Sequence, residues 1–197
     1  MAIVVEHEKR RYEILERALD IFIEEGYEDA TFQKIADRCG ITRTTLYLYF
    51  KNKREIFVWS IKQLTGRVEK DLLETITDES LSYAERLQSV LHLIIELCTE
   101  NRRLFNVVLT YLLQVQKTGK DPDSRVRRRT IRLRHLLSRI LIAGKNAGEF
   151  HIDNVKAANE LFYGLIESAI FRIAILDRQE NDALKDAVTL AVASIST

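Results

Sequence analysis

Residues 31–50, TFQKIADRCGITRTTLYLYF, concentrate side chains able to hydrogen-bond to phosphate oxygens and to the edges of bases. Thr31 and Thr42 stand where helices would begin, and there a hydroxyl beside free backbone N–H groups suits a phosphate oxygen. The same hydroxyls serve as helix caps, a role that coexists with phosphate contact. Arg43 carries a guanidinium whose geometry matches guanine in a bidentate pair. Thr44 and Thr45 are short polar side chains for bases or phosphates, and Tyr47 offers a phenolic hydroxyl to a phosphate. Lys53 follows with a compact ammonium for the same purpose. Leu48 forms no hydrogen bond, so its partner on a duplex would be a thymine methyl or a sugar.

These groups act together only if two helices cross near a right angle, which needs a small residue at the crossing and a turn residue tolerant of positive φ. Ala36 and Gly40 occupy those places, and Ile35, Cys39, Ile41, Leu46 and Tyr49 are spaced to hold the pair together. On a helical wheel of about 100° per residue, Leu46, Tyr49 and Phe50 fall on one side of the later helix, as core. Thr44, Tyr47 and Leu48 fall on the other, with Arg43 at the edge. That outer side can enter a major groove, which admits an α-helix.

Charge agrees locally. Lys34, Arg38, Arg43, Lys51, Lys53 and Arg54 stand against Asp37 alone, an excess of five positive charges beside an acidic first helix. The whole chain of 197 residues carries only +1, so a nucleic-acid surface has to be a patch.

The rest of the chain must support this module. Hydrophobic residues make up 46% and charged residues 30%, the balance of a folded globular protein. One proline and seven glycines leave few breaks, which predicts an all-α fold. Ile14, Leu15, Ala18, Ile21 and Phe22 recur at helical spacing over 9–25, and Gly26 supplies a stop. A second helix runs from a Thr31 cap to Gly40, and a third from Thr42 to about Phe50. Lys51, Asn52 and Lys53 form the next break. A long helix follows from 54 into the 70s, then helices over 81–99, 102–116, 124–146, 154–176 and 181–194, with the clearest loop at 117–124.

The run ILERALDIFIEEGYEDATFQKIADRCGITRTTLYLYFKNKREIF resembles the N-terminal domain of the tetracycline-repressor family of bacterial regulators. The likeness covers about residues 8–68. It includes the Gly-Tyr after the first helix, the Thr opening the second, the Leu-Tyr-x-Tyr-Phe run and the Lys beyond it. It implies a helix-turn-helix domain over 8–68, a helical regulatory and dimerisation domain over 69–197, and a sequence-specific transcriptional regulator. The form expected is a homodimeric repressor on a palindromic DNA operator, released by a small-molecule effector. Its two recognition helices would enter successive major grooves about 34–36 Å apart or slightly more. Family members often have Gly where Thr44 stands, which leaves the contact of Thr44 open. Two alternatives share the fold: a nucleoid or cell-division factor with no effector, and an activator.

The resemblance also places a ligand pocket within the C-terminal helices and a dimer interface on the last two. Ala158, Phe162, Leu165, Ile166, Ala169, Ile170 and Ile173 lie at helical spacing, with Gly164 and Ala169 permitting close approach. Leu184, Val188, Ala191, Val192 and Ile195 do the same in the final helix. Trp59, His92, Phe105, Tyr111 and Tyr163 are of the types that line pockets, and equally of the types that fill cores. Seven arginines lie between Ser124 and Arg139. Arg125, Arg128, Arg129, Arg132 and Arg139 align in one stripe, opposite Val126, Leu133, Leu137 and Ile140. The stripe reads either as a solvated face paired with acids or as a site for an anionic effector such as an acyl-coenzyme A.

Other functions lack their residues. His7, His92, His135 and His151 make no metal-binding pair at helical spacing, and there is no glycine-rich phosphate loop and no nucleophile motif. No enzyme activity, metal or cofactor is expected. Cys39 and Cys98 lack ligand spacing and read as buried free thiols. The apolar run at 2–5 is too short for a signal-peptide core, and no stretch approaches a membrane span, so a reducing cytoplasmic location is expected.

Overall fold

A computed structural model of the chain describes residues 2–117, 124–176 and 181–197, with side chains at 2–5, 67–68 and 124–130 excepted. Contacts divide it into a first unit, Met1–Lys70, and a second, Asp71–Thr197. The first holds α1 (Ala2–Asp29), α2 (Phe32–Arg38), α3 (Arg43–Tyr49) and most of α4 (Lys53–Thr77). The second holds α5 (Tyr83–Glu100), α6 (Arg102–Lys117), α7 (Ser124–Asn146), α8 (Val155–Ala174) and α9 (Asp182–Ala193). The fold is all-α. An isolated antiparallel bridge between Phe150 and Ser196 is the sole β pairing among the described residues.

In the first unit, α1 begins earlier than the expected Lys9, because nothing at 2–8 breaks a helix. Its regular geometry stops at Gly26, whose φ of 84° is open to glycine and strained for other residues. Ile14, Leu15, Ala18, Ile21 and Phe22 are all buried. Phe22 meets the Phe57 ring edge-on at 4.8 Å, and Ser60, itself buried, donates to the Leu15 carbonyl at 2.9 Å. These contacts fasten α4 to α1.

In the second unit, α5 packs against α6, α7, α8 and α9. It starts with a capping box between Ser82 and Glu85, and the Glu149 carboxylate accepts from the Tyr83 backbone N–H at 2.7 Å. Polar groups stitch α9 to α5: Gln88 donates to Thr189, and Lys185 donates to Glu96 at 2.7 Å. The chain end closes on the α7–α8 connection, with His151 N–H donating to the Ile195 carbonyl at 2.7 Å. Cys39 and Cys98 are free and buried, and burial pushes the Cys98 thiol up to about 12.

One expectation changes. The apolar positions of α8 and α9 put forward for a subunit interface mostly form the unit's own interior: Ala158, Phe162, Ile166, Ala169, Ile173, Leu184, Val188 and Val192 are buried. The faces left to solvent carry Leu161, Phe171, Ile175 and Leu190 instead. A helix apolar on both sides shows the same periodicity whichever side turns inward. Of the loop expected at 117–124, Lys117 ends α6 and Ser124 begins α7, and 118–123 lie outside the described residues, as do the side chains of Arg125, Val126, Arg128 and Arg129.

Candidate nucleic-acid interface

The sequence 31–50 builds its own frame. Thr31 accepts from the Lys34 N–H at 3.2 Å and so starts α2. Gly40, at φ 65°, ends it: Gly40 N–H bonds the Asp37 carbonyl and Ile41 N–H the Ala36 carbonyl, each at 3.0 Å. That pattern of paired bonds closes a helix onto a left-handed glycine. Two cations of α1 then meet the carbonyl end of α2, Arg17 on the Arg38 carbonyl and Arg10 on the Cys39 carbonyl, both at 3.2 Å. They complement the partial negative charge at a helix C-terminus.

Thr42 opens α3, accepting from the Thr45 N–H at 3.0 Å and bonding the Thr45 hydroxyl at 2.8 Å. We expect Thr42→Ala to lower stability by about 1 kcal/mol through the lost cap, whereas Thr42→Ser retains it. Urea denaturation midpoints check this. Leu46 and Phe50 are buried, and half-buried Tyr49 stacks on His7 with ring centroids 4.5 Å apart. Ile35, Ala36 and Cys39 close the other side of the crossing.

The opposite side of α3 is exposed. Leu48 is 74% exposed and Tyr47 50%, with Arg43 and Thr44 exposed beside them. Tyr47 is held in place: its ring stacks on Phe32 at 4.5 Å, and its hydroxyl accepts from Arg43 Nη2 at 3.3 Å. Thr45 is half-buried, its hydroxyl engaged with Thr42. Lys53 has partners that sequence reasoning missed. Its ammonium donates to the carbonyls of Tyr27 and Glu28, at 2.7 and 2.9 Å, and lies 4.5 Å from the Tyr27 ring centroid.

The positive patch is also smaller than its residue count. Lys34 pairs with Glu25 at 2.7 Å. Arg38 holds both carboxylate oxygens of Glu24, at 3.2 and 2.6 Å. The hydrogen bond from Arg38 holds the Glu24 carboxyl below the usual carboxylate range. The acidic first helix therefore pairs both of these cations of α2, and Arg43 stands on the exposed side of α3.

Residues 14–58 match the family model for bacterial regulatory proteins of the tetR family. Residues 80–170 match that for the tetracyclin repressor-like C-terminal domain. The chain belongs to the TetR family. It is a DNA-binding transcriptional regulator, and all eight proposed DNA-contacting residues lie inside the N-terminal match. Among TetR-family relatives, the fatty acid metabolism regulator protein of Bacillus subtilis is 25% identical over 80% of each chain. The solved structure of the Bacillus subtilis regulator FadR, in complex with stearoyl-CoA, superposes with a TM-score of 0.75. It is 24% identical and covers 92% of this chain and 96% of that one. A TetR transcription regulator from Haloarcula marismortui gives a TM-score of 0.84 at 20% identity, covering 96% and 100%.

The residues suggested for a ligand pocket of this TetR-family chain separate. Trp59 belongs to the first unit, where the Arg11 guanidinium and the Lys62 ammonium lie 4.9 and 4.1 Å from its ring. In the second unit, Tyr111 and Tyr163 are buried and Phe105 is half-buried. His92 Nε2 lies 3.4 Å from the Lys185 carbonyl. Of the arginine-rich helix, Arg134 pairs with Glu160 and covers the Tyr163 ring at 3.9 Å, while Arg139 is exposed. Among the described residues no His, Cys, Asp and Glu cluster could hold a metal ion, and no helix is long and apolar enough to cross a membrane.

Proposed function

We propose that this regulator is a homodimeric repressor that grips a palindromic operator through α3 and leaves it when a small anionic effector binds the second unit. The observation that carries the reading is the exposed face of α3, where Arg43, Tyr47 and Leu48 stand on a helix whose other side is buried. Arg43 reads a guanine, Leu48 meets a thymine methyl or sugar, and Thr44 and Thr45 lie near bases or phosphates. Thr31, Thr42, Tyr47 and Lys53 position the domain on the phosphate backbone, with Lys53 keeping one ammonium proton for a phosphate while two serve the carbonyls. Residues 8–68 do the binding and 69–197 the sensing and pairing, in the cytoplasm beside the chromosome.

The effector class is an acyl-coenzyme A. Support comes from the relative named for fatty acid metabolism, the neighbour solved with stearoyl-CoA, and the arginines crowded into α7. Arg139 on the exposed side of α7 is the described cation best placed for a phosphate, since Arg134 already has Glu160.

The test begins with selection of an operator from a random duplex pool. Arg43→Ala then weakens the selected site by about 10- to 100-fold and relaxes the choice of one base pair. Lys53→Ala weakens all sequences alike and lowers the salt slope by about 1. Operator binding unaffected by either change refutes this docking. Stearoyl-CoA releases the complex where free coenzyme A does not, and no release by any acyl chain length refutes the effector.

A further inference from the structure

Glu24 and Glu25 occupy an unfavourable place. They lie in the last turn of α1 before the break at Gly26, where helix carbonyls carry partial negative charge and carboxylates are disfavoured. Each is matched to one cation of α2. Arg38 grips Glu24 through its two terminal guanidinium nitrogens, and Lys34 reaches Glu25 while also donating to the Asp29 carbonyl at 3.2 Å. The acid of α2 itself is not the partner, because Gln33 holds Asp37 at 2.7 Å. In helix-turn-helix docking the first helix of the motif crosses the DNA backbone, which puts exposed cations of α2 beside phosphates. Each phosphate neutralised by a cation releases counterions and adds sequence-independent affinity.

We propose that Glu24 and Glu25 limit sequence-independent DNA binding by holding Arg38 and Lys34 away from the phosphate backbone. The inference rests on the docking of α3 described above. In this arrangement α1 sets the strength of the regulator's grip on DNA in general, and α3 sets where it grips. A repressor that must let go when its effector arrives needs a modest general affinity, since release is measured against everything else that binds it to the chromosome.

The charge pairs are exposed, so their own contribution to folding is small and their replacement leaves the domain intact. Anisotropy titrations of the full-length protein with an unrelated duplex, over about 50–200 mM salt, compare wild type, Glu24→Gln, Arg38→Gln and the double variant. Glu24→Gln steepens the salt slope by about 0.9 and binds roughly three- to tenfold tighter at low salt. Arg38→Gln alone stays close to wild type, and the double variant returns to it. Glu25→Gln and Lys34→Gln repeat the pattern. An unchanged slope in Glu24→Gln overturns the proposal. So does a gain that survives in the double variant, because that is lost repulsion and not a freed arginine. Failure of the docking itself shows separately, as Arg43→Ala binding the selected operator normally.

Discussion

Leu161→Glu yields a folded protein that sediments as a monomer and binds its operator at least about a hundredfold more weakly, because one-armed binding loses the avidity of two linked domains. Along α8 and its C-terminal cap, positions 157, 161, 164, 168, 171 and 175 alternate four and three residues apart, the spacing of a helix–helix seam. They hold Ala157, Leu161, Gly164, Ser168, Phe171 and Ile175. Leu161, Phe171 and Ile175 are 50%, 54% and 47% exposed in the single chain. On α9, which packs against α8, Leu190 is 73% exposed, with Ala183 and Ala187 in line with it. An exposed apolar face of this kind is expected under a partner, and a twofold axis would bring the same face of a second copy to cover it. A glutamate at the centre of that seam would be buried without a cation, at a cost of several kcal/mol. The fold survives because Leu161 points away from the interior that its neighbours Ala158 and Phe162 fill. Sedimentation equilibrium with operator titration reads both consequences, and a variant that still dimerises places the interface elsewhere.

Gly144→Ala gives the second large effect, on stability. A Cβ there would lie 2.3 Å from two ring carbons of Phe150 and 2.9 Å from the Tyr83 Cβ. Phe150 is buried, so its ring has nowhere to retreat without shifting backbone. The displacement reaches further than one contact. The residue before it, Glu149, caps α5 through Tyr83 N–H, and its carbonyl holds the Thr197 N–H at 3.1 Å. Overpacking of this kind costs about 1–3 kcal/mol, the upper end being expected here. For a chain of this size each kcal/mol lowers the melting temperature by about 2–4 °C, so calorimetry should show a fall of roughly 6–12 °C. Phe150→Leu in the same chain should recover part of it, and additivity of the two changes would mean that the clash is not the cause.

Much of the regulator is legible from its residues alone. Helices show themselves through spacing: Ile14, Leu15, Ala18, Ile21 and Phe22 were readable as one buried face because a single helix decides that pattern. The caps Thr31 and Thr42 and the turn at Gly40 were readable for the same reason, since each acts on backbone groups within five residues. The exposed side of α3 followed from Leu46 and Phe50 facing inward.

What stayed hidden depends on partners distant along the chain. Lys53 reads as a free cation until the turn at Tyr27 and Glu28 is brought to it, 25 residues and more away in sequence. Lys34 and Arg38 count as positive charge until α1 lays Glu25 and Glu24 against them. The outward side of α8 is undecided by its own periodicity, because both sides are apolar and only packing against α5 and α7 selects one. The sequence by itself thus determined the fold class, the helix-turn-helix and the exposed side of α3, all set by interactions over a few residues. The tertiary structure decided which of those charges are paired and which apolar face is left exposed. Both depend on side chains that meet across the fold, where a shift of a few ångströms separates an ion pair from a free cation.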